Sequence, residues 1–172
     1  AQGPAGRWRP VLRPEDLTGM TAAGDLTLDE LRLALVPRIA DAAAFDGWSK
    51  VAVESAAQAL GTDPRVAALA FPGGAMDMIA AWIASVDAAM ARAHPVASLS
   101  GLPVRERIRT LVRFRLHALE GREEALRRAL AIMAMPQNAA AAFRLGWQSA
   151  DIVWRLAGDT ATDYNHYTKR AI

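Results

Sequence analysis

The sequence predicts an all-α fold, on three observations. Hydrophobic residues make up 52% of its 172 residues and aromatic residues only 6%, with Ala and Leu dominant. That bias favours helices over strands. Apolar positions recur at helical spacing through most of the chain, which marks helix faces. Gly, Pro and capping residues fall between these runs, where helices stop and start. The length suits one compact domain and is short for two ordinary ones.

Residues 1–26 are rich in Gly, Pro and Thr, lack an apolar period, and read as a flexible leader. Residues 27–172 read as a single all-helical domain. Its first helix starts near Thr27, with Glu30 three residues on in capping-box position. Pro37 inside this run predicts a kink or a shifted start. The Phe45–Trp48 turn closes the helix, with Gly47 supplying a left-handed backbone. Ser49 caps a second helix, which Gly61 ends. Thr62 or Asp63 caps a short third helix with Pro64 at its first position. After the Phe71–Gly74 turn, an apolar helix runs from about 75 to 93. Residues 94–103 read as a loop. Further helices are predicted over 105–120, 122–135 and 137–157, with a short last one capped by Asp159 or Thr162.

With no cysteine, the chain has no disulfide, thiolate ligand or cysteine nucleophile. Lys plus Arg exceeds Asp plus Glu by only two, and all but Lys50 and Lys169 of the basic residues are Arg. So small an excess implies no nucleic-acid partner. No stretch reads as the roughly 18–20 apolar residues of a bilayer span; the best, 75–83, is short and interrupted by Asp77. His94, His117 and His166 are isolated, and neither a nucleophile elbow nor a Gly-rich phosphate loop is present. Asp159 and Asp163 are four apart, but helix capping and dipole pairing explain them better than metal or acid–base chemistry. No catalytic residue, metal site or cofactor is implied, and the chain does not read as an enzyme.

The stretch 31–82 carries a series of motifs in order: ADAAAF, the DGW turn, AAQALG, a short third helix, and AFPGG leading into a long fourth helix. This order resembles the N-terminal helix-turn-helix-like unit of TetR-type regulators. The resemblance implies a TetR-regulator-like helical bundle, with 27–74 as the helix-turn-helix-like part; what the closing residues resemble makes 75–172 the lipid-binding and dimerisation part. DNA reading needs cations for phosphates and polar side chains for base edges. From 45 to 75 there are two bases, Lys50 and Arg65, against three acids, Asp46, Glu54 and Asp63. The third helix offers little but Ala, Val and Leu. A scaffold use of the motif fits better than DNA binding.

The closing string MAMPQNAAAAFRLGWQSADIVWRLAGDTATDYNHYTKRAI is similar to the ubiquinone-biosynthesis accessory family, Coq-nine. The matching pieces are Pro136-Gln137-Asn138, Asp151 with Trp154, Ala157-Gly158-Asp159, and Thr162 to Asn165 leading into Tyr167 to Ala171. The FDGW turn and the helix from Arg107 to Leu116 resemble the family too. The resemblance implies a lipid-binding accessory protein rather than an enzyme. It would bind an isoprenoid lipid, a quinone precursor or phospholipid, and present it to the demethoxyubiquinone hydroxylase. It also implies a homodimer and contact with a membrane surface. The expected place is the bacterial cytoplasm, with peripheral contact to the inner membrane, or in a eukaryote the matrix side of the mitochondrial inner membrane. The alternative function is a TetR-type transcription regulator with a hydrophobic ligand pocket.

Trp147, Asp151 and Trp154 share one helix face by their spacing. The resemblance places Asp151, Trp154 and the neighbouring Arg155 in a partner interface; the residues alone also allow Trp154 in the core and Asp151 paired with an arginine. Arg105, Arg107, Arg109, Arg113 and Arg115 crowd one helix against the single acid Glu106. Such a run is usually a solvated face, and it also suits anionic lipid head groups. Small and flexible apolar residues in the second half suit an irregular ligand. Candidate pocket residues are Met76, Ile79, Ile83, Leu111, Phe114, Leu130, Met133 and Phe143, each of which also fits an ordinary core.

Overall fold

A computed structural model describes residues 26–158, and every regular element among them is helical. α1 (Leu28–Asp46) opens on a complete capping box: the Glu30 amide donates to the Thr27 hydroxyl at 3.3 Å, and the Thr27 amide donates to the Glu30 carboxylate at 2.9 Å. Pro37 lies within α1 and does not shift that start; the chain stays helical to Asp46. The proline removes one amide donor, but Leu31, Leu35, Ile39 and Ala43 are buried on both sides of it. Their burial holds the helix through the gap. Gly47 ends α1 with φ 69°, a value that strains any residue with a Cβ.

α2 (Lys50–Leu60) and α3 (Pro64–Leu69) follow. Ser49 stands at the N-cap of α2, yet its hydroxyl donates backwards to the Asp46 carbonyl at 2.9 Å and caps the end of α1 instead. Asp63 caps α3 as expected, accepting from the Arg65 amide at 2.8 Å. The remaining elements are α4 (Gly74–Ala93), α5 (Val96–Leu99), α6 (Val104–Ala118), α7 (Glu123–Met133), a 3-10 turn (Pro136–Asn138) and α8 (Ala139–Leu156). The segment 94–103, expected as a loop, therefore contains one helical turn, anchored by the buried Leu99. The predicted last helix, with Asp159, Thr162 and Asp163, lies outside the described residues, as does the leader through residue 25.

The expectation about membrane length needs correction. α4 is by length and composition apolar enough to cross a membrane, because its alanines count as apolar and Asp77, Asp87 and Arg92 are its only charged residues. In the fold it is buried along part of its surface only, at Met78, Ile79, Trp82, Asp87 and Met90. Asp77 is met by Arg32 and Asp87 by Arg115. The Arg32 guanidinium holds the Asp77 carboxyl below its ordinary value, helped by the Gly73 amide and opposed by burial.

Two apolar clusters share α4. The front one joins α1, α2, α3 and α7 to Met78, Ile79 and Trp82 of α4. Trp48 is its keystone: the indole N–H donates to the Ala125 carbonyl of α7 at 2.9 Å, and the ring meets Trp82 at 5.2 Å. Arg122 bonds Asp41 at 2.7 Å, and Arg128 donates to the Phe45 carbonyl at 3.1 Å, so α7 is fastened to α1 along its length. The rear cluster is smaller, with Met90, Leu99, Leu111, Val153 and Ala157. The front cluster thus draws on both 27–74 and 75–172.

Candidate functional site

α4 and α8 lie side by side, and the groove between them is the most apolar concavity described. It holds ≈ 330 Å³ and is lined by Ala80, Ile83, Ala84, Ala88 and Ala91 from α4 and by Leu145 and Ile152 from α8. Ala80, Ala84, Ala88 and Ala91 recur at helical spacing, so one face of α4 presents little more than methyl groups. Such a face keeps the wall low and leaves room for an apolar chain beside the helix. Ala84, Ala88 and Gln148 are exposed, so the groove opens to solvent.

Its floor is polar at one point. Asp87, only 4% exposed, accepts from the Ser149 hydroxyl at 2.6 Å and pairs with Arg115. Burial pushes the Arg115 guanidinium below its ordinary value. A buried carboxylate persists only with such partners. The network ties α4, α6 and α8 together beneath the groove.

A second brace closes the rear end. Arg107 donates to three carbonyls: Leu102 at 2.7 Å, Ser100 at 2.9 Å and Ala157 at 3.0 Å. Gly158 leaves α8 with φ 88°, and a Cβ there would meet the Arg107 guanidinium at 2.7 Å. The backbone conformation calls for glycine at this exit, and a Cβ would also displace the end of the Arg107 side chain. On α6, Arg107, Leu111 and Arg115 recur every four residues on the inward face. Arg105, Arg109 and Arg113 are offset from them by two residues, about 200° around the axis, and all three are exposed. The arginine-rich helix is therefore two stripes with different tasks.

Of the candidate pocket residues, the groove takes in Ile83. Ile79 is buried in the front cluster and Leu111 in the rear one. Met76 and Met133 are half-buried, Met133 against the front cluster. Phe114 packs on the rear cluster and meets the His94 ring edge-on at 5.5 Å. Leu130 and Phe143 are exposed, and Phe143 stacks on Trp147 at 6.2 Å. The structure does not bring the eight into one wall. The residues missed by sequence reasoning are the alanine face of α4, Leu145, Ile152, Asp87 and Ser149. One signal was available: from 78 to 91 Asp87 is the single charge in an apolar helix, and such a lone acid implies a buried partner.

Asp151 and Arg155 form an ion pair at 2.6 Å one turn apart on α8. Trp154 is half-buried, and its indole N–H is buried with no hydrogen-bond partner among the described residues. The concavity between α2 and α3, ≈ 560 Å³, is lined by Lys50 and Arg65 against Glu54 and Asp63. Lys50 already pairs with Glu54 at 3.8 Å. This surface has no excess cation for a phosphate backbone.

The described residues thus define an all-α protein with an apolar inter-helical groove over a buried ionic floor. Its closing residues, 139–172, match the COQ9 family model. Three curated relatives are similar to the chain: ubiquinone biosynthesis protein COQ9, mitochondrial, of Rattus norvegicus and of Homo sapiens, each 29% identical over 133 residues, and that of Bos taurus, 28% identical over 133 residues. The alignments cover 73% of this chain and 41–42% of the relatives, so the chain spans about two-fifths of their length. Both comparisons point to COQ9 proteins, one over the last 34 residues of the chain and the other over 133 residues at under 30% identity. The relatives are mitochondrial by name, which accords with the mitochondrial placement expected above and lends none to bacterial cytoplasm.

Proposed function

We propose that the chain is a non-catalytic, lipid-binding accessory protein of ubiquinone biosynthesis, and that the α4–α8 groove receives the apolar chain of its ligand. The ligand is an isoprenoid quinone precursor or a phospholipid, presented to the demethoxyubiquinone hydroxylase. The observation that carries this reading is the groove. Its ≈ 330 Å³ and apolar lining with a few convergent polar groups match ordinary ligand sites, which run from about 300 to 1,000 Å³. Burying each methylene of such a chain contributes about 0.8 kcal/mol. The relatives' names supply the pathway, and the regulator-like order of α1 to α4 accords with a TetR-like scaffold put to this use.

Ala84→Trp fills the groove from an exposed position. The variant is expected to keep its thermal unfolding temperature and to lose at least about tenfold in affinity for an added isoprenoid quinone precursor, a loss of about 1.4 kcal/mol. Native mass spectrometry reads the bound fraction. Undiminished binding by the variant, or no binding by the parent chain, overturns the groove.

Asp151, Trp154 and Arg155 make the proposed hydroxylase face. The Asp151–Arg155 pair lies at the surface, with the Arg155 side chain 77% exposed. Trp154→Ala is expected to weaken hydroxylase capture by roughly 2 kcal/mol, the scale of an aromatic hot spot, without unfolding the chain. Unchanged capture, or global unfolding, places Trp154 in the core instead.

A further inference from the structure

The walls of the α4–α8 groove are apolar, so what it offers a polar head is set by very few atoms. Among its lining side chains only Asp87, Gln148 and Ser149 carry nitrogen or oxygen. The backbone adds little, because both walls are α-helices whose amides and carbonyls bond along their own axes. Gln148 is exposed at the rim. Its amide both donates and accepts, so it suits any polar head. Ser149 and Asp87 are buried. The Ser149 hydroxyl has one hydrogen and gives it to Asp87 Oδ2 at 2.6 Å. Below the rim, the lining side chains therefore hold no uncommitted donor.

Acceptors are in surplus there. A carboxylate offers about four lone-pair positions. At Asp87, Ser149 fills one on Oδ2 and the Arg115 guanidinium fills one on Oδ1, so about two remain. Arg115 belongs to α6 and does not line the groove. An unfilled acceptor beside a wall of methyl groups costs free energy, which a ligand O–H recovers. The bond formed is charge-assisted and so stronger than a neutral one. A head that only accepts, such as a quinone or an ether, meets no donor and sets its oxygen against a carboxylate. A phosphate brings a second negative charge to a buried one, where weak screening makes their repulsion strong.

Position agrees with this role. The α4 wall runs from Ala80 to Ala91, and it extends about 10 Å from Asp87 towards Ala80 and about 6 Å towards Ala91 at the helical rise. The longer arm, with Ala80, Ile83 and Ala84, leaves room for an apolar tail. We infer that Asp87 selects the head of the groove's ligand. The groove takes a neutral lipid whose head carries a hydroxyl donor, a phenol above all, and disfavours heads that only accept hydrogen bonds or carry a phosphate. This selection rests on the lipid-binding reading of the groove given above, and it divides the ligands that reading admits. A hydroxylated aromatic head fits the floor, a fully oxidised quinone does not, and a phospholipid keeps its head group outside.

A farnesylated phenol and its methyl ether share one ring and one tail and differ in the donor; farnesyl phosphate supplies the anion. In native mass spectrometry the parent chain is expected to bind the phenol at least about tenfold more tightly than the ether, the scale of a hydrogen bond to a charged group. Farnesyl phosphate is expected to fall behind the phenol by as much. Asp87→Leu combined with Arg115→Met removes the carboxylate and its cation together. With its fold checked by the urea midpoint, this double variant is expected to bind phenol and ether alike. Equal binding of phenol and ether by the parent chain overturns the selection. So does a tenfold preference that survives in the double variant, or farnesyl phosphate bound as tightly as the phenol. Should the double variant not fold, the comparison of ligands on the parent chain decides alone. If the ligands bind alike and Ala84→Trp loses them all, the groove stands and the selection falls. If Ala84→Trp leaves every affinity unchanged, the groove falls and the selection with it.

Discussion

Asp87→Leu is expected to lower the stability of the folded chain by about 2–3 kcal/mol, read from the urea midpoint. Breaking a fully buried ion pair costs about 3–5 kcal/mol; here the Arg115 side chain is 26% exposed, so water partly replaces the lost carboxylate. The loss also strands the Ser149 hydroxyl, which donates to Asp87 at 2.6 Å. The second change decides the cause. Combining Asp87→Leu with Arg115→Met removes both charges at similar volume and is expected to recover most of the loss, since the penalty lies in the unpaired charge. If the single variant loses under about 1 kcal/mol, the pair is not a structural link between α4, α6 and α8. The groove rests on this network, and a variant that keeps its fold is expected to bind lipid less well.

Trp48→Ala is expected to have a still larger effect. The indole is 5% exposed in the front cluster, touches Trp82, and holds α7 through its bond to Ala125. Replacing a buried tryptophan by alanine costs about 3–5 kcal/mol through lost burial and the cavity left behind. That is a large part of a typical domain's stability of about 5–15 kcal/mol. Trp48→Phe separates the two contributions: it keeps a ring and loses the indole N–H. It is expected to lose much less than the alanine variant, although the Ala125 carbonyl forfeits that donor, a loss of about 1 kcal/mol. Equal losses in the two variants would put the whole effect on the hydrogen bond.

Glu124 shows how far local pairing alone carries charge effects. Arg127 and Arg128 lie one turn away on α7 and hold its carboxyl down at about 2. It stays ionised to strongly acid pH, and helical spacing of three and four residues is enough to bring these groups together. Asp87 and Arg115 carry more structural weight and are 28 residues apart. Their spacing says nothing about their meeting.

The same contrast runs through the fold. The capping box at Thr27, the Asp63 cap with Pro64, the FDGW turn and the helix faces were legible in the sequence, because each is decided within a turn or two of chain. Ser49 was read as a cap for the helix it precedes, but its hydroxyl found the closer carbonyl behind it. The pocket residues were chosen by type, Met and large apolar side chains. The α4 wall of the groove is instead mostly alanine, because the distance between two helix walls depends on what is absent from the facing side chains.

The sequence by itself determined that this chain is helical, where most of its helices begin and end, and that it lacks the charges of a DNA-reading surface. It also carried the closing signature that the COQ9 family model matches. Only the tertiary structure decided that α4 runs through both cores, that the arginines of α6 divide into an inner brace and an outer stripe, and that α4 and α8 leave a groove between them. Those outcomes depend on the packing of helices some sixty residues apart, as in Asp87 with Ser149. Local spacing sets which side chains share a face, and only packing sets what that face meets.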